Sequence, residues 1–177
     1  MASVDFLIKQ YLSEDKRTLD LSNQNLGDEG AAHLAKSPQL KKLRNLRLPN
    51  NNFSDEGAKD IAESGNFKNL IALDLYGNVI SDEGIKAIAT SPHMANLKHL
   101  SLYGNLVEDE GAIALADSTV LSKLTHLYLN GNRIRREGIE ALKKAKTRRR
   151  LCFLHVDEIE EFDFADDDDE DYDDDED

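Results

Sequence analysis

One cysteine, Cys152, stands in a chain of 177 residues, so no disulfide framework can be built and a reducing compartment is expected. That compartment would be the cytoplasm, or the nucleus if the source is eukaryotic. Cys152 itself is expected to be partly buried in the last strand, since no motif around it points to a reactive thiol. Long apolar runs are missing too. The N-terminal stretch MASVDFLIKQYLSEDK carries an acid at Asp5 and only a three-residue apolar run, so neither a secretory signal nor a membrane span is expected. Catalysis would require a nucleophile with a base, paired carboxylates in a cleft, or a metal cluster. The sequence offers none of these, and a protein that is not an enzyme and uses no cofactor is expected. Basic residues are absent from one region altogether. Residues 157–177 carry 16 of the 35 acids and no Lys or Arg. That leaves residues 1–156 mildly basic, at about +3, and the tail at about −16. The run ADDDDEDYDDDED cannot bury apolar surface, and disorder is the expectation over residues 165–177.

What the sequence does have is a period. The phrase LIALDLYGNVISDEG at 70–84 returns as LKHLSLYGNLVEDEG at 97–111, and the underlying leucine pair recurs at one constant interval along the chain. The pairs are Leu19/Leu21, Leu46/Leu48, Leu73/Leu75, Leu100/Leu102, Leu127/Leu129 and Leu154/Val156. Leucines open the later copies at Leu43, Leu70, Leu97, Leu124 and Leu151, and glycines close them at Gly30, Gly57, Gly84, Gly111 and Gly138. A period in the twenties signals a solenoid, in which each unit buries its apolar face only against a neighbouring copy.

Within one copy, two leucines separated by one residue lie on the same side of an extended strand while the middle residue faces the other way. The leucines are therefore core. The asparagine that follows, at Asn51, Asn78, Asn105 and Asn132, can donate and accept at once and is expected to hold the bend between stacked copies. The Ser-Asp-Glu-Gly phrases at 54–57 and 81–84 place a capping hydroxyl and two acids where a helix should begin. Helix core positions follow at Leu34, Ile61, Ile88, Leu115 and Leu142, with Ala35, Ala62, Ala89 and Ala116 beside them.

These frames resemble the leucine-rich repeat family, in its longer, helix-bearing, ribonuclease-inhibitor-like type, over residues 16–156. The pattern LxxLxLxxNxL stands as Leu43, Leu46, Leu48, Asn51 and Phe53, and again as Leu70, Leu73, Leu75, Asn78 and Ile80. The first copy departs from it with Lys16 and Gln24, and the sixth with Ile159, so the sixth reads as a capping strand. The resemblance implies an α/β leucine-rich repeat solenoid. This is a right-handed β-α superhelix forming a short horseshoe arc, with a parallel sheet on the concave face and helices on the convex face. The expected organisation is an N-terminal capping helix over 1–15, built on Val4, Leu7, Ile8, Tyr11 and Leu12. A repeat domain follows over 16–164, closed by Ile159, Phe162 and Phe164, and an acidic tail completes the chain at 165–177.

The candidate site is the outward side of the strands. Asp20, Arg47, Asp74, Ser101, Tyr128 and His155 lie between the paired leucines, and Pro49, Tyr76, Tyr103 and Asn130 follow them. Tyr76, Tyr103 and Tyr128, with His99 and His126, predict an aromatic and imidazole patch on repeats three to five. Tyrosine suits an interface because it brings large contact area and a polar tip at low entropic cost. His99 and His126 share a repeat position on strands roughly 4.8 Å apart, with His155 nearby. They are read as facing solvent or a partner and not as holding a metal.

The expected function is therefore binding of a protein partner on the concave face by a monomeric module. The sequence does not identify that partner, and neither a membrane nor a nucleic acid is expected. Two further family resemblances keep alternatives open. A helix-bearing repeat with a long acidic C-terminal run looks like the Ran GTPase-activating proteins, which implies regulation of a small GTPase. A short repeat domain joined to an acidic tail is similar to the acidic leucine-rich nuclear phosphoproteins, which implies binding of histones or other basic proteins by the tail. The basic cluster at 133–150, from Arg133 to Arg150, is expected either to be screened by that tail in solution or to stand beside a solvated tail that only improves solubility.

Overall fold

A computed structural model of the chain describes residues 3–148 and 151–157. The expected C-terminal cap at Ile159, Phe162 and Phe164, the tail 165–177, and Arg149 and Arg150 lie outside the described residues. Six strands form one parallel sheet in chain order: β1 (Thr18–Asp20), β2 (Asn45–Arg47), β3 (Ala72–Asp74), β4 (His99–Ser101), β5 (His126–Tyr128) and β6 (Phe153–His155). Each strand pairs with the next in register, so Leu19, Leu46, Leu73, Leu100, Leu127 and Leu154 form one row. The repeat is 27 positions long, the separation spanned by the side-chain bonds from Arg47 to Asp20 and from Asn50 to Asn23. Between the strands run helices α2 (Gly27–Lys36), α3 (Asp55–Glu63), α4 (Asp82–Thr90), α5 (Asp109–Asp117) and α6 (Arg136–Arg148). The helix α1 (Val4–Tyr11) precedes the first strand, capped by the Ser3 hydroxyl accepting from the Phe6 amide, and sends Leu7 and Ile8 into the core. Asp5 on α1 reaches His33 on α2 at 2.9 Å and fastens the cap to the first repeat.

The core is a single ridge between the two layers. Leu46, Leu48, Leu75, Leu100 and Leu102 from the strands, Leu34, Ile61 and Ile88 from the helices, and Phe53 and Phe67 from the connections are fully buried. Alanines at 58, 62, 89 and 112 are equally buried and bring the helices close to the sheet. Burial of this kind is worth roughly 25 cal/mol per Å² of apolar surface, and it accumulates only through stacking because no single repeat encloses its own leucines.

Three polar ladders join the repeats. The Asn78 amide donates to the Leu48 and Leu75 carbonyls, and its oxygen accepts from the Asn51 and Phe53 amides at 3.0 Å. Asn51, Asn105 and Asn132 repeat the arrangement. These asparagines hold the bend as the sequence predicts.

The second ladder adds to the sequence expectation, for Ser54 accepts from the Glu56 amide and the paired acids stand in the first turns of α3 and α4 as predicted. The first acid of each Asp-Glu-Gly phrase satisfies the helix of the next repeat, not its own. Asp28 accepts from the Ser54 and Gly57 amides at 2.8 and 3.0 Å, Asp55 from Ser81 and Gly84 at 2.7 and 2.9 Å, and Asp109 from Arg135 and Gly138 at 2.7 and 3.0 Å. The glycine belongs to this contact. A Cβ at Gly84 would stand 2.7 Å from the Asp55 carboxylate, too close for both to remain. In the third ladder serines after the helices bond back, with Ser64 donating to the Ala35 carbonyl at 2.6 Å and Ser91 and Ser118 reaching Ala62 and Ala89. At the far end the Asp157 carboxylate accepts from the Gly131 amide at 2.6 Å, in the role that the Tyr103 and Asn130 carbonyls play for Gly77 and Gly104. Cys152 is exposed, not partly buried: it precedes β6, and the neighbouring Leu151 takes the buried place.

Candidate functional site

Each strand turns its central residue inward and its two flanking residues outward, so the sheet's outer side carries columns that recur once per repeat. The first outward column runs Thr18, Asn45, Ala72, His99, His126, Phe153, and the second Asp20, Arg47, Asp74, Ser101, Tyr128, His155. A third follows the strands through Ser22, Pro49, Tyr76, Tyr103 and Asn130. All of the expected site residues lie on this side, but they do not form one uniform patch.

The N-terminal part of the second column is occupied with itself. Arg47 places Nη1 2.9 Å from Asp20 and Nε 3.6 Å from Asp74, bridging both neighbours. Partial burial works against ionisation of Asp20, but the Ser22 hydroxyl and amide, followed by Arg47, outweigh it and hold the carboxyl below its ordinary value. Pro49, expected to face outward with the tyrosines, is buried.

The C-terminal part is aromatic. Tyr76 and Tyr103 are exposed at 39 and 45% and meet at 5.1 Å between ring centroids. His99 and His126 lie 4.3 Å apart, and His126 stacks in turn on Phe153 at 4.5 Å. Tyr128 stacks on His155 at 4.9 Å and 15°. Ring contacts thus run along the columns. Ser101, half-buried, stands between Asp74 and Tyr128 where charge gives way to rings. His99 is exposed, yet partial desolvation, then the neighbouring His126 and Lys98, push its pKa down. His155 stands against Tyr128 and not with the other two imidazoles. Among the described residues no three His, Cys, Asp or Glu side chains are gathered to hold a metal.

Phe153 is the member that the sequence reading missed. Exposed at 51%, it completes the His99 and His126 column. Its place one full repeat after His126 was available as a signal, but the departure of the sixth copy from the frame hid it.

The turn after each strand separates the same two regions. Asn23 and Asn50 take positive φ of 60° and 53° in the first two repeats, where Gly77, Gly104 and Gly131 serve in the next three. Glycine at 77 tolerates its φ of 66° without strain and leaves room for the Asn50 side-chain oxygen, which a Cβ there would strike.

Comparison with known proteins extends this picture. A family model described as Leucine Rich repeat matches residues 17–35, 39–62, 68–89, 93–116 and 120–143. No curated protein matches in sequence. Among solved structures, the tropomodulin C-terminal domain of Caenorhabditis elegans is similar with a TM-score of 0.55 at 15% identity, over 83% of this chain and 95% of that one. Actin-binding site 2 of leiomodin-1 gives a TM-score of 0.53 at 16% identity, over 82% and 86%. At such identities the likeness is one of fold. No described helix is long and apolar enough to cross a membrane.

Proposed function

Because the chain belongs to the leucine-rich repeat family, we propose that it is a protein-interaction module without catalytic activity whose partner docks on the concave strand face, over repeats three to six. The observation that carries this reading is the exposure of Tyr76 and Tyr103 above strand leucines that are buried, continued by exposed Phe153 beside half-buried Leu154. Large rings left in water on a rigid sheet gain by being covered, and their columns are already ordered by mutual stacking, which lowers the entropy lost on docking. Tyr128, His99, His126 and His155 extend the surface and add polar edges. Ser101 marks its border, and Asp20, Arg47 and Asp74 form the charged rim beyond it.

The test is capture of partners from the source cell by the wild type and by a Tyr76→Ala, Tyr103→Ala variant. The variant should keep nearly all of its thermal stability and lose the captured protein. Unchanged capture, or unfolding of the variant, overturns the surface reading. A GTP hydrolysis assay with small GTPases separates this module from a GTPase regulator, which would accelerate turnover.

A further inference from the structure

The segments that lead into the strands carry Arg17, Lys42, Arg44, Lys98 and Lys123 along one groove at the edge of the sheet, and no carboxylate lines it. All five are exposed. Hydrogen bonding fixes their spacing. The Arg44 amide donates to the Arg17 carbonyl at 2.8 Å, Ile71 to Arg44 at 2.7 Å and Lys98 to Ile71 at 2.8 Å, so these residues sit side by side just ahead of successive strands. Among the described residues none of the five takes part in an ion pair. Asp15 feels Arg17, but its carboxyl is held low chiefly by the Ser13 hydroxyl. Among the described residues Lys123 reaches the Asn96 side-chain oxygen, at 2.7 Å.

Stability does not account for this edge. Arg17 and Arg44 set like charges on neighbouring repeats, which is destabilising, whereas the acids Asp28, Asp55 and Asp109 have a structural task, since they satisfy helix amides. Nor is the basic helix α6 equivalent. Its Arg136 pairs with Glu140 at 3.1 Å, the preceding Arg133 approaches Glu108 at 3.9 Å, and Asp117, Glu137 and Glu140 line the groove that holds Lys144. Among the described residues, the sheet edge is thus a positive surface that no acid lines.

We propose that this groove binds the chain's own acidic segment, residues 166–177, in the same molecule. That segment supplies eleven carboxylates and no base. The twenty residues beyond Asp157 can span about 65 Å when extended, against a sheet about 24 Å wide at the usual strand spacing. Tethering gives the segment an effective concentration on the order of millimolar at the groove. The contact is electrostatic and salt-sensitive, and it makes the segment a built-in competitor for any acidic ligand of the groove. The inference is independent of the strand-face reading.

Carbodiimide cross-linking of the full chain, read by mass spectrometry, tests it, because the reagent joins a carboxylate to a lysine in contact. Cross-links from 166–177 should concentrate on Lys42, Lys98 and Lys123 over Lys59, Lys143 and Lys146. They should not change with protein concentration, and they should disappear in high salt. Added polyglutamate peptide should reduce them, and an Arg44→Glu, Lys98→Glu variant with unchanged circular dichroism should lower the yield at Lys42 and Lys123 by about tenfold. Yields equal to that at Lys59, or centred on 143–146, overturn the proposal. So does a yield rising with protein concentration, which would mean binding of a second copy.

Discussion

The two ends of the strand face share one backbone frame and differ in everything that faces water. In repeats one to three Arg47 is held by Asp20 and Asp74, and the turns are built on Asn23 and Asn50. In repeats three to six the outward columns hold Tyr76, Tyr103, Tyr128, His99, His126 and Phe153, and the turns of repeats three to five are built on glycine. One region satisfies its polar groups internally and offers a partner little. The other satisfies its rings only in part, by stacking, and leaves their outer faces wet. A repeat frame therefore fixes geometry while leaving the outward residues free to specialise.

The comparison breaks most directly at the frame. Leu48→Ala and Leu102→Ala, one in the charged region and one in the aromatic region, should each cost about 2–5 kcal/mol in urea titration. Asn78→Ala should cost about 1–3 kcal/mol through the backbone groups it leaves unpaired. A neutral result at any of these would show that the two regions do not share one core. Next comes the charged region. Arg47→Ala should cost only about 0.2–1 kcal/mol, as exposed ion pairs do, and should leave partner capture unchanged. Capture lost with Arg47 would extend the binding surface into repeats one to three.

The smallest effect is one of pH. His99 binds its proton less readily in the folded chain than its ordinary pKa of 6.5 implies. The unfolded state therefore takes up the proton first, and stability present above about pH 6.5 is lost as the pH falls towards the lowered value. A His99→Gln variant should lose less melting temperature than the wild type on acidification from neutral pH. Equal losses would show that the imidazole column carries no pH dependence.

How much of this was legible follows from what a period can and cannot encode. Strand order, the repeat register, the buried leucines and the asparagine bends all depend on spacing along the chain, and each stands where the sequence places it. The destinations of Asp28, Asp55 and Asp109 were not legible, because local spacing cannot tell whether a side chain reaches its own helix or the one a repeat later. The self-pairing of Arg47 was hidden for a related reason. Whether outward charges bond one another or await a partner depends on side-chain reach between strands, which the alternation of a strand does not specify. Phe153 was missed and Cys152 misjudged in the sixth copy, whose departures from the frame leave the repeat period a weaker guide to which side chains are covered.

The cross-repeat aspartates carry one further consequence, for how such a gene can change. Each capping acid belongs to the unit before the helix it serves, so the boundary of a heritable unit is not the boundary of a strand or a helix. Excision of residues 55–81 would bring Asp82 directly after Ser54 and present Gly84 to Asp28 where Gly57 now stands. Every joint would be remade from equivalent parts. A deletion longer or shorter by a single position would instead misalign the leucines, the asparagines and the aspartates together. The chain can lengthen or shorten in whole steps of one size and tolerates no other, which makes its number of repeats easy to revise and its repeat length nearly impossible to alter.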